Sequence, residues 1–158
     1  MRVLGILLGA VLVGGLTGAA RVGDPPNACT VLPTSDITGA LGAGWTPNPP
    51  SLNANTSDLS SCMYTHGMHN LVAFTIVRAP GGDAKGAVAT RKASVSPRHA
   101  VTAFPALCEG GFAEALTKSN TTVYTSKGEW EVMTQVEVNH KPDVETAVKL
   151  TAGACKRL

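Results

Sequence analysis

The chain has 158 residues, with 13 Lys and Arg against 11 Asp and Glu, so its charge is close to neutral and the class of proteins that bind nucleic acid by neutralising phosphates is excluded. It holds only two Trp, two Tyr and three Phe, a thin aromatic supply for a domain of this size, and four cysteines that disulfide bonding could use to supply stability the core lacks.

Residues 1–20 have the form of a secretory signal peptide: one charge at Arg2, an apolar run from Val3 to Leu16, then Thr17-Gly18-Ala19-Ala20, whose small side chains suit cleavage after Ala20. An uncleaved membrane anchor is the rival reading, since the apolar stretch sits at the short limit for a span. Its glycines weaken a helix, and the small-residue end favours cleavage. The first cysteine is Cys29, too far from Ala20 to be a lipid-attachment site. The expected product is a secreted, extracytoplasmic chain with no stable membrane span, which keeps 12 basic and 11 acidic side chains in 138 residues. Residues 21–28, with Gly23 and Pro25-Pro26, read as a flexible leader, and residues 29–158 as one domain.

An even cysteine count in an exported chain favours disulfides over metal or redox chemistry, and no C-x-x-C is present. Three pairings are possible. Cys29–Cys62 and Cys108–Cys155 are preferred because each joins segments placed together below, and each closure contributes about 3–4 kcal/mol in the chain-entropy account.

Along the domain, Thr34-Ser35-Asp36 caps a short helix with Ile37, Ala40 and Leu41 on one face, ended by Gly42. Residues from Trp45 to Ser61 form a long loop rich in Pro, Asn and Ser. Strands are predicted over Cys62–His66 and Leu71–Arg78, followed by a helix from about Ala84 to Val95 that Gly81-Gly82-Asp83 caps and Pro97 stops. Three further strands fall at Gly111–Leu116, Thr121–Thr125 and Glu129–Val138. In the last, Trp130, Val132, Thr134, Val136 and Val138 alternate with Glu129, Glu131, Met133, Gln135 and Glu137, which predicts one buried and one wet face. A closing helix begins at Pro142-Asp143 and carries Val144, Ala147, Val148, Thr151, Cys155 and Leu158 at helical spacing. The expected fold is α+β: an antiparallel sheet of about five strands with helices packed on one face and two disulfides.

The run from Cys29 through Thr34-Ser35-Asp36-Ile37 to Leu41-Gly42, followed by Ser61-Cys62-Met63-Tyr64, resembles the opening of small secreted or lipoprotein domains of actinobacteria, of the DUF3558 kind. The later Gly111-Phe112-Ala113-Glu114-Ala115 segment is similar to that family's Gly-x-x-Ala stretch. The chain departs from the pattern by its missing lipid-attachment cysteine, by Tyr64 where a Trp is usual, and by Cys108. The resemblance implies a cell-envelope domain and carries no catalytic residues to transfer.

No motif for catalysis stands out: there is no G-x-S-x-G, no S-x-x-K and no H-E-x-x-H, and Glu129, Glu131 and Glu137 fall on what reads as a solvated strand face. Met63, His66, Met68 and His69 cluster around a predicted turn and offer thioether and imidazole donors suited to Cu(I). The plainer reading is an exposed turn. Arg78, Lys85, Arg91, Lys92 and Arg98 make a basic stretch around the middle helix that could meet an anionic envelope polymer or protein. The expectation is therefore a non-catalytic binding domain of the bacterial cell envelope or secreted fraction that needs no cofactor, with copper binding or a small envelope hydrolase as alternatives.

Overall fold

The structure, a computed structural model, describes residues 23–49, 53–115 and 120–158. The signal-peptide reading of residues 1–20 and the proposed strand end at Leu116 lie outside them.

Among the described residues, four α-helices, α1 (Ala28–Val31), α2 (Thr34–Leu41), α3 (Ala84–Ser94) and α4 (Val144–Cys155), accompany seven strands. These are β1 (Thr46–Pro47), β2 (Leu59–Thr65), β3 (Asn70–Arg78), β4 (Ala100–Phe104), β5 (Gly111–Ala115), β6 (Thr121–Lys127) and β7 (Trp130–Val138). They form one antiparallel sheet in the order β1-β2-β3-β7-β6-β5-β4. The α+β class and the antiparallel sheet are as expected; the strand number is seven and not about five. Both additional strands are edges. β1 is a two-residue pairing inside the predicted long loop, with Thr46 opposite Thr65 and Pro47 opposite Tyr64. β4 escapes pattern reading because Ala100–Ala103 are exposed on both faces, so no alternation of polar and apolar residues marks it.

Alternation along the central strands builds the core on one face. Val72, Phe74 and Ile76 of β3, Val123 of β6 and Val132 and Val136 of β7 are fully buried there, under Leu32, Ile37, Ala147 and Leu150. Thr151 of α4 bonds Thr134 of β7 through their hydroxyls at 2.8 Å, which fixes α4 on this side. Local signals set the helices: Asn27 and Asp143 cap α1 and α4 through side-chain oxygens, and Gly42, at φ +90°, ends α2. Cys29–Cys62 ties α1 to β2, and Cys108–Cys155 ties the β4–β5 connection to the end of α4. Both pairings are the predicted ones, and no cysteine is left free.

The expectation that helices occupy one face is corrected. α3 connects β3 to the far edge strand β4 and packs on the opposite side, mainly over β6 and β7. The reason lies in strand phase: Phe112 and Tyr124 are offset by one residue from the core-facing Ala113 and Val123. Their rings stack at 5.0 Å and give the second face an apolar floor for a helix. Among the described residues no helix is long and apolar enough to cross a membrane.

Candidate binding site on the third helix

The five basic residues predicted to form one stretch take three different roles. Arg78, at the end of β3, is a clamp: Nε donates to Asp58 at 3.3 Å, Nη1 to Glu129 and Nη2 to the Gly23 carbonyl, while the guanidinium lies 4.3 Å from the Trp130 ring centre. Only 14% of its side chain is exposed, so its donors are spent inside the fold. Lys85, Lys92 and Arg98 are exposed; Lys85 reaches Glu109 at 4.0 Å, and Lys92 and Arg98 have no ion pair among the described residues. Arg91 is different again.

From the middle of α3, Arg91 Nε donates to Glu131 Oε1 at 2.6 Å, and its guanidinium sits 4.9 Å over the Tyr124 ring. Glu131 is 5% exposed. The solvated-face reading of that residue is thus corrected: alternation rightly put it opposite Val132, but that face is roofed by α3. A carboxylate taken out of water requires a cation with good geometry, and Arg91 supplies it. The hydrogen bond to Glu131 is the main cause that raises the Arg91 pKa above its ordinary value, against the smaller opposing effect of burial. Burial first, then the Glu114 charge, raises that of Tyr124. The remaining carboxylates of this face are also engaged. Glu137 meets His140 at 3.1 Å, and Glu114 of β5 meets His99 Nδ1.

Clefts open on both flanks of α3. One, of about 590 Å³, is lined by Pro80, Asp83, Ala87, Thr90, Arg91, Ser94 and Glu131. The other, of about 250 Å³, is lined by Lys85, Val88, Lys92, Glu109, Gly110, Gly111, Phe112 and Ser126, among others. The Ser126 hydroxyl there is buried without a hydrogen-bond partner among the described residues. Asp83 caps α3 by accepting from Gly86 N at 2.9 Å.

The Met/His turn distributes its donors. His66 packs on Trp45, ring centres 5.6 Å apart, beneath Gly44, whose φ of +99° and missing Cβ let the ring approach: a Cβ would stand 2.8 Å from Nε2. His69 packs instead on His140 at 4.7 Å, Met68 is 92% exposed, and Met63 is half-buried on β2. No group of three or more His, Cys, Asp or Glu side chains with metal-binding geometry occurs among the described residues.

Sequence reading missed Glu131, Tyr124, Thr90, Ser94 and Ser126 as site residues. The available signal was that Phe112 of β5 and Tyr124 of β6 fall in the phase opposite to the core-facing Ala113 and Val123, which implies a second covered face. Chemically, the α3 surface offers hydrogen-bond donors and acceptors fixed by packing, with exposed cations along one flank. No family model matches the chain, and neither a curated protein nor a solved structure does.

Proposed function

We propose that the chain is a non-catalytic extracytoplasmic binding domain of the bacterial cell envelope or secreted fraction, which contacts an anionic envelope polymer through the α3 face. The observation that carries this reading is the pairing of two clefts with three exposed cations, Lys85, Lys92 and Arg98, on and just beyond one helix. Exposed charges of this kind attract an anionic partner over a range of about 8 Å at physiological ionic strength. The two disulfides accord with an oxidising compartment.

The test is capture of material from a cell-envelope extract at low and high salt, with Lys85→Glu/Lys92→Glu/Arg98→Glu beside the parent protein. Arg91 is left intact because its loss would strand Glu131. Capture should fall with salt and with the triple substitution; capture indifferent to both would refute the α3 face. Turnover of an envelope substrate that a single Glu131→Gln or His99→Gln exchange abolished would make the protein an enzyme.

A further inference from the structure

The larger cleft beside α3 differs from the lysine-bearing flank in its charge balance. Arg91 and Glu131 neutralise each other across 2.6 Å, and the third charge, Asp83, is engaged in capping α3. A bound anion would meet the Glu131 and Asp83 carboxylates. A bound cation would meet the guanidinium.

What remains unsatisfied is directional and not ionic. Arg91 uses only Nε within the described residues, which leaves about four N–H donors on Nη1 and Nη2. The Nε bond and the Tyr124 ring hold this fork in place, so little side-chain entropy is lost when it takes a partner. Glu131 Oε2 accepts no hydrogen bond among the described residues, although the side chain lines the cleft. Thr90 adds a hydroxyl, and Pro80 and Ala87 add an apolar wall.

We propose that this cleft binds an uncharged, polyhydroxylated ligand, a saccharide unit. Neighbouring hydroxyls on a sugar ring donate and accept together, so one ring edge can accept from the Arg91 fork while it donates to Glu131 Oε2. Its C–H face can lie on Pro80 and Ala87. The cleft volume of about 590 Å³ falls in the range of small-molecule sites, about 300–1,000 Å³. This inference rests on the binding-domain reading and gives its recognition cleft a ligand class, with the polymer's acidic groups left to the lysines.

The experiment follows backbone amide shifts of the oxidised, secreted protein titrated with maltotriose, cellotriose, mannotriose and arabinotriose, and separately with inorganic phosphate and spermidine. At least one trisaccharide should saturably shift the amides of Ala87, Thr90, Arg91 and Ser94, while phosphate and spermidine leave them in place. Arg91→Lys keeps a cation for Glu131 but loses the fork, and should weaken binding about tenfold. Thr90→Val, on the exposed helix surface, should weaken it with the fold intact. Response to phosphate or spermidine alone, saccharide shifts away from α3, or no response to any of the four sugars overturns the proposal. If α3-dependent capture from envelope extract persists in the last case, the ligand class fails and the binding reading stands; if capture is lost too, both fall.

Discussion

The two members of the Arg91–Glu131 pair do not cost the same to remove. Arg91→Ala leaves a carboxylate under α3 without its cation, and one-sided loss of a fully buried pair costs about 3–5 kcal/mol. Because 43% of the Arg91 side chain is exposed, water reaches the stranded group, and a smaller loss of about 2 kcal/mol is expected. Glu131→Gln removes the buried charge and keeps an acceptor for Nε, so about 1 kcal/mol or less should be lost. Urea midpoints at constant slope compare them, and equal losses would mean that the buried charge is not the source of the asymmetry. Tyr64 gives a pH dependence. Its hydroxyl donates to the Leu32 carbonyl, and burial, then the Asp36 charge, pushes its pKa up to about 12. In the unfolded chain the phenol ionises near 10, so its contribution is complete below that pH and is lost as pH rises toward 12. Stability should therefore decline over that window, and more shallowly in Tyr64→Phe, which itself should cost about 1–2 kcal/mol for the lost hydrogen bond. An equally steep decline in the variant would remove Tyr64 as the cause.

At the scale of elements, the disulfides give the most direct check. Non-reducing peptide mapping should recover Cys29–Cys62 and Cys108–Cys155, bridges that span 33 and 47 residues, and replacing the second pair by serine should cost about 4 kcal/mol. A Cys62–Cys108 peptide would be incompatible with the observed topology. Both pairings were legible because flanking segments announced themselves: β2, β3 and β7 by alternation, α4 by Asp143 and its apolar spacing. The edges were not. β1 is set by its neighbour and not by its own two residues, and β4 has no buried side to leave a pattern. The side on which α3 packs was equally hidden, since helix periodicity states which stripe is apolar but not which surface receives it. Only Phe112 and Tyr124, out of phase with the core, pointed to the answer.

The whole molecule divides into a thick layer, where α1, α2 and α4 cover the sheet, and a thin one, where α3 alone lies across β6 and β7. The order and periodicity of the predicted strands and helices were enough to read the α+β class, and the placement of those segments to read the disulfide pairing. The site was legible only as a basic stretch. Its sorting into a clamp at Arg78, a half-exposed guanidinium on the buried Glu131 at Arg91 and exposed cations at Lys85, Lys92 and Arg98 depends on the acids that folding brings near, and Asp58, Glu129 and Glu131 lie far along the chain from their partners. The same division separates molecular stability from function. Mutations in the thick layer should lower both together, whereas exposed substitutions on α3 should change binding alone.

Neither disulfide touches α3, and only Ala84 and Val88 of its residues are buried. The helix is thus held on its side of the sheet by few buried side chains and no cross-link, and it can detach while the cross-linked layer beneath persists. In hydrogen exchange, α3 amides should open through a local event well below the global free energy, with β3 and β7 amides protected to the full value. A ligand seated beside α3 must then act as a thermodynamic latch, and at a hundred times its dissociation constant it should slow α3 exchange by about 2.7 kcal/mol of added opening free energy. Occupancy would be recorded as rigidity of one helix, which makes this element a built-in reporter for screening unknown partners.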